Sequence, residues 1–180
     1  MRKVILDLAV TLDGFIEGPN GETDWCIMDD DMDFHDFLTT IDTIFYGRVS
    51  YDTWGTFWPD DRSTEAEQKF WQRIHSKKKY VFTRQNRTDD NVTFVHSNIF
   101  EKVEEIKRQP GKDIWMYGGA GLINTFIPLG LIDVYKISVH PVILGNGKPL
   151  FENLLKPISL KLINANRFRS GVVQLIYKPE

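Results

Sequence analysis

Three places in the 180-residue chain pair an apolar, β-branched run with residues that hold anions. The first is Tyr117-Gly118-Gly119-Ala120-Gly121-Leu122, where a strand-like run passes into a helix-like one. Glycines let a ligand approach the backbone closely, and the start of a helix offers unpaired N–H groups and a favourable dipole, which together suit a phosphate. The same glycines also make a tight turn, and the spacing is neither GxGxxG nor a P-loop. The second is Gly47-Arg48 with Ser50 two residues on, and the third is Thr83-Arg84. Each places a guanidinium, which can fork onto a phosphate, at the end of a strand. Read singly, Arg48 and Arg84 are also ordinary solvated charges. Read as a set in an open α/β sheet, whose ligands sit outside the carboxyl ends of the strands, they point to a phosphate-bearing ligand.

Proton chemistry has one main candidate. Asp29, Asp30, Asp31 and Asp33 stand where a helix should begin, and carboxylates there usually cap or complement the dipole. Asp30 has a second possible role, because Trp25, Ile27 and Met28 precede it and Phe34 follows. An apolar setting raises a carboxyl pKa toward that of a useful acid. Asp7 and Asp13 are weaker candidates. A metal cluster from Asp29, Asp30, Asp31 and Asp33 is a further option, but not as an EF-hand loop, which needs a glycine at its sixth position and a glutamate at its twelfth. No metal site is expected: the four histidines are far apart, and the single cysteine, Cys26, excludes a disulfide and a cysteine-based zinc site. Cys26 and His96 receive no role. Trp54 and Trp58, beside a glycine, are candidates to line a pocket.

The elements that must position these groups follow from the apolar pattern. Strands are expected at 3–11, 43–47, 79–84, 92–96, 113–118 and 133–144, with a closing hairpin of 158–168 and 172–178 across Ser170-Gly171. Helices are expected from Phe34 through Ile41, at 48–56, at 64–76 with a Thr64/Glu67 capping box, at 98–109 with an Asn98/Glu101 capping box, and from 120 to about 130. Alternating strands and helices imply an α/β fold with a mostly parallel central sheet of about eight strands, helices on both faces and an antiparallel C-terminal hairpin. The length suits one domain, 1–180. A net charge of −3 offers no basic excess for nucleic acid, and the apolar runs are too short to span a membrane. A small-molecule partner and a cytoplasmic setting are the expectation.

In this order the pieces resemble the dihydrofolate reductase superfamily, and within it the RibD C-terminal domain branch. Thr11-Leu12-Asp13-Gly14-Phe15-Ile16 is similar to the branch's opening turn, and Gly47-Arg48-Val49-Ser50-Tyr51 to its Gly-Arg-x-Thr-Tyr element. Tyr117-Gly118-Gly119-Ala120-Gly121 resembles its double-glycine turn, and Pro141 to Phe151 its PVxLGxGxPLF segment. The resemblance implies a three-layer dihydrofolate-reductase-like fold and an NADPH-dependent reductase acting on a heterocyclic or carbonyl/imine substrate. That activity is akin to 5-amino-6-(5-phosphoribosylamino)uracil reductase of riboflavin biosynthesis. Dihydrofolate reductase and a non-catalytic nucleotide-binding protein are the alternatives. By the same resemblance Gly118, Gly119, Ala120 and Gly121 approach the pyrophosphate, and Gly47, Arg48 and Ser50 bind phosphate. Thr83 and Arg84 meet the adenosine 2′-phosphate, and Ala9 and Ile16 flank the nicotinamide. Asp30 is the catalytic acid, and Trp25, Phe34 and Trp54 stand on the substrate side. Lys77 stands where a dihydrofolate reductase offers an arginine to the folate tail, and Asp7 replaces an apolar strand residue. A homodimer is implied.

Overall fold

The run Ile41-Asp42-Thr43-Ile44-Phe45-Tyr46-Gly47 is almost entirely buried, as a strand covered on both faces must be. It is β3 of a computed structural model that describes every residue except Asp29 and Asp33, and the backbone alone of Asp30. The strands are β1 (Val4–Thr11), β2 (Phe15–Glu17), β3 (Ile41–Gly47), β4 (Lys78–Phe82), β5 (Val92–Val95), β6 (Asp113–Gly118), β7 (Val134–His140), β8 (Lys148–Pro149), β9 (Leu160–Arg167) and β10 (Val173–Pro179). The helices are α1 (Phe34–Thr40), α2 (Arg48–Ser50), α3 (Glu65–His75), α4 (Ile99–Arg108) and α5 (Ala120–Phe126). Eight strands form one mostly parallel sheet in the order β5-β4-β3-β6-β1-β7-β10-β9, and β2 and β8 form a separate ribbon. The expected α/β fold with its antiparallel C-terminal hairpin is the fold observed.

The chain divides into two compact units. The first holds residues 1–2 and 33–119. Here β3 pairs in parallel with both β4 and β6, and β4 with β5. Its core is Ile41, Ile44, Phe45, Ile74, Val81, Val103, Ile106, Ile114 and Met116. Arg2 is buried with them, its guanidinium on Asp42 and Thr43. The second unit holds residues 3–32 and 120–180. There β1 pairs in parallel with β7, while β10 lies antiparallel between β7 and β9. Asp133 Oδ2 accepts from the Val4 amide at 2.7 Å, and the Asp133 amide donates to the Val4 carbonyl at 2.9 Å, which fixes where β1 and β7 start.

Local chemistry explains the differences from expectation. The helix expected over 48–56 is three α-helical residues followed by a π turn, Tyr51–Gly55. A Cβ at Gly55 would lie 2.3 Å from the Tyr51 ring, so the widened turn depends on that glycine. The capping box on α4 does not form. Asn98 is left-handed, φ 51° and ψ 47°, a region asparagine tolerates, whereas a capping side chain needs extended backbone. The ribbon of β2 and β8, only three and two residues long, had no periodic signal to announce it.

The capping box on α3 does form: Glu67 N donates to Thr64 Oγ1 at 3.2 Å, and Thr64 N to Glu67 Oε2 at 2.7 Å. Thr64→Ala should therefore cost about 1 kcal/mol, read as a lower urea midpoint with an unchanged slope.

Candidate functional site

Parallel pairing sets the ends of β3, β4 and β6 level. Gly47 is in register with Phe82, so Arg48 and Thr83 leave their strands at the same height. A shift in register between Phe45 and Tyr46 brings Tyr46 opposite Gly118, the last residue of β6. The three junctions singled out in the sequence thus lie side by side along one edge of the first unit. Gly118 has φ +115°, which side-chain-bearing residues rarely adopt, and a cis peptide joins it to Gly119. A Cβ on Gly119 would lie 3.0 Å from Ser50 Oγ, so the diglycine turn and the last residue of α2 meet.

The polar groups along the edge are oriented. Thr83 Oγ1 accepts from the Gln85 amide at 3.1 Å and the Thr83 amide donates to Val95 O at 3.0 Å. His96 Nδ1 lies 3.2 Å from Thr83 O, which gives this residue a role in holding the end of β4. Arg84, next along, is exposed. Arg48 is half-buried, with Nη1 donating to Asp52 Oδ2 at 3.2 Å. Ala120 and Gly121 open α5. The Ala120 side chain is fully buried, and a Cβ on Gly121 would meet nothing.

Phe34 and Trp54 belong to one aromatic network of the first unit. Phe34 packs on Phe37, Phe70 and Trp115 at 5.4–5.7 Å. Trp71 contacts Phe70 at 5.7 Å and lies parallel to Trp54 at 6.4 Å. Phe57 and Trp58 extend the network to the surface, Trp58 stacking on His75 at 4.0 Å. Lys77 has a structural use: Nζ donates to Leu38 O at 2.8 Å and Ile41 O at 3.1 Å, closing the end of α1. Nothing in the sequence marked that capping, because the carbonyls it satisfies lie 36–39 residues away.

In the second unit Ala9, half-buried, shares a face of β1 with Asp7 and Thr11, and Ile16 sits half-buried on β2. Asp7 is buried beside its register partner Lys136, carboxylate to ammonium 2.9 Å, and burial pushes its carboxyl above the usual range, against the pull of Lys136. Trp25 stands edge-on to His140 at 5.3 Å. His140 is buried, with Nδ1 3.0 Å from Ser138 O and Nε2 3.2 Å from Ile27 O and 3.8 Å from Cys26 Sγ. It thereby holds the Trp25–Ile27 segment, a role the sequence did not suggest. Burial raises the Cys26 thiol pKa, which makes it a poor nucleophile. Asp30 has its backbone in a 3-10 turn, Asp30–Met32, and its side chain lies outside the described residues.

Asp13 is a fastener. Thr11 Oγ1 donates to it at 2.6 Å, and the Leu144 and Gly145 amides donate to it at 3.2 and 2.7 Å. Leu12 N bonds Val142 O and Leu150 N bonds Gly14 O, both at 2.9 Å. A Cβ on Gly147 would come within 2.3 Å of Glu17 O. These contacts give the 141–151 segment its structural purpose: it is knitted to the loop after β1.

A family description, the RibD C-terminal domain, matches residues 2–174. The chain is 58% identical over 177 residues to "Uncharacterized protein YyaP" of Bacillus subtilis (strain 168), covering 98% of this chain and 94% of that protein. A deaminase/5-amino-6-(5-phosphoribosylamino)uracil reductase of Thermotoga maritima shares the fold, with a TM-score of 0.70 at 17% identity over 99% of this chain and 57% of that one. Dihydrofolate reductase of Enterococcus faecalis, solved with NADP(H), also shares it, with a TM-score of 0.67 at 15% identity over 99% and 96%.

The Thr11 hydroxyl first, then the Gly145 and Leu144 amides, hold the Asp13 carboxyl below its ordinary value. Its contribution to stability is therefore complete above about pH 4 and is lost as pH falls through the lowered folded-state value. Asp13→Asn should lower the thermal midpoint at pH 7 and reduce the loss of stability between about pH 4 and pH 2, measured by circular dichroism melts across that range.

Proposed function

We propose that this chain, which belongs to the RibD C-terminal domain family, is an NADPH-dependent reductase. Its substrate is a heterocycle, carbonyl or imine akin to the phosphoribosylaminouracil of riboflavin biosynthesis. The observation that carries the reading is the register of Gly47 with Phe82 and of Tyr46 with Gly118, which sets three anion-type junctions side by side at the carboxyl ends of adjacent strands. One such junction is a commonplace turn. Three adjacent ones, with a bare glycine backbone in one and arginines in the other two, match the pyrophosphate and 2′-phosphate of a dinucleotide.

In this reading the amides of Gly118 to Gly121 and of Gly47 to Ser50 receive the pyrophosphate, with Arg48 neutralising it. Thr83 and Arg84 take the 2′-phosphate, the choice of NADPH over NADH being direct charge pairing. Ala9 and Ile16 give the nicotinamide room and an apolar wall. The bound cofactor would supply hydride to an electron-poor carbon. The protein's tasks are to align the two rings, exclude water and deliver a proton to the neighbouring heteroatom. On the substrate side the reading assigns Phe34 and Trp54, held in the first unit by Phe70 and Trp71, and Trp25, on the segment of the second unit that His140 fixes. Asp30 handles the proton. Asp7 is a second acid candidate, its carboxyl already raised by burial, whereas Asp13 is occupied as a fastener. A cytoplasmic homodimer is the proposed working form. Leu162 and Ile163, exposed on edge strand β9, are compatible with pairing to a second copy.

Calorimetric titration tests the cofactor. NADPH should bind more tightly than NADH, and Arg84→Ala should weaken NADPH by about ten-fold or more while leaving NADH unchanged. Equal affinity of the wild type for both would remove the 2′-phosphate assignment. Asp30→Asn should suppress single-turnover hydride transfer to the uracil substrate with NADPH affinity intact, and unchanged turnover would move the acid elsewhere.

A further inference from the structure

Arg87 lies in the loop joining β4 to β5, three residues beyond Arg84. Nothing in the anion-site pattern of the sequence singled it out. Its Nη1 donates to Asp52 Oδ1 at 2.6 Å, while Arg48 Nη1 donates to the other oxygen of the same carboxylate at 3.2 Å. Two guanidiniums are thus held by one carboxylate, and the trio carries a net positive charge. All three side chains keep between a third and two-fifths of their surface in solvent.

The arrangement is built from both sides. Arg87 also lies over the Phe94 ring, guanidinium carbon to centroid 5.6 Å, so its fork is restrained by a cation–π contact as well as by Asp52. The same loop is fastened a second time where Tyr51 Oη donates to Asp89 Oδ2 at 3.1 Å, and Asp89 Oδ1 accepts from the Asn91 amide at 2.8 Å. Asp52 and Tyr51 both sit on the π turn that follows Arg48. Both fastenings therefore draw the 84–91 loop toward the Arg48 end of β3. An exposed ion pair adds little stability, and a second arginine on one carboxylate adds repulsion between the two cations. A dianionic group placed against the Arg87 fork would relieve that repulsion.

We propose that Arg87 is a second specificity-determining guanidinium for a phosphate monoester, with Asp52 holding it beside Arg48 in readiness. This rests on the NADPH reading and adds to it a contact with the adenosine 2′-phosphate. Arg87 then discriminates between ligands with and without that group, and the rest of the dinucleotide is indifferent to it.

The probes are 2′,5′-ADP, which carries the monoester, and 5′-AMP, which lacks it, titrated calorimetrically into the full chain at two salt concentrations. Arg87→Ala should weaken 2′,5′-ADP by about ten-fold, with a shallower salt dependence, and leave 5′-AMP unchanged. Arg87→Lys, keeping the charge without the fork, should recover part of the loss. Tyr51→Phe releases the loop's other fastening without removing a cation, so it should not reproduce the selective loss. If Arg87→Ala binds 2′,5′-ADP like the wild type while Arg84→Ala does not, Arg87 only fastens the loop, and the NADPH reading stands without it. If Arg87→Ala weakens both probes equally, or Tyr51→Phe gives the same selective loss, loop order is the cause and the proposal fails. If the wild type binds neither 2′,5′-ADP nor NADPH, both readings fail together.

Discussion

The candidate site depends on the register of β3 against its two parallel neighbours. Parallel strands carry no turn to fix their alignment, so the buried side chains must set it. Ile44, Phe45 and Tyr46 do this in the first unit: each is fully buried, and a slip of one residue would exchange the sheet faces of all three. The shift between Phe45 and Tyr46 then sets Gly118 opposite Tyr46, the residue before the end of β3. The diglycine turn therefore begins one residue short of Gly47, beside the start of the Arg48 junction.

Charge is arranged locally, against a chain whose net charge is −3. Arg48, Arg84 and Arg87 gather at one edge of the first unit, where Asp52 restrains two of them and solvent still reaches all three. The buried ionic groups are treated differently. Buried Arg2 is paired with the part-exposed Asp42 and bonded to Thr43, and buried Asp7 is paired with Lys136, because an unpaired buried charge is costly. Burial raises the Asp7 carboxyl, and hydrogen bonds lower that of Asp13. Two aspartates of the same segment thereby titrate in opposite directions from the ordinary carboxyl value, one buried in an ion pair and the other serving as an anchor.

How much could be read from the residues depended on the range of the interaction. The Thr64/Glu67 box formed as its three-residue spacing required, because donor and acceptor belong to one turn. The same spacing at Asn98 and Glu101 failed when the chain entered α4 through a left-handed residue. The helix after Arg48 was legible as helix, but its π turn was not, since it depends on a ring packing against Gly55. His96, His140 and Lys77 carried no local signal. Each satisfies a carbonyl from elsewhere: Thr83 for His96, Ile27 for His140, and Leu38 and Ile41 for Lys77.

Composition and periodicity determined the α/β class, the antiparallel hairpin at the end, and the three glycine or arginine junctions, since all of these follow from chain-local sterics and patterning. Tertiary structure alone decided that the junctions share one edge and that Arg87 joins Arg48 on Asp52. It also decided that Asp13 is spent on holding 144–145 while Asp7 is buried against Lys136. These outcomes depend on which strands become neighbours and at what offset. That choice is made by the packing of the whole core, and short stretches of chain do not encode it.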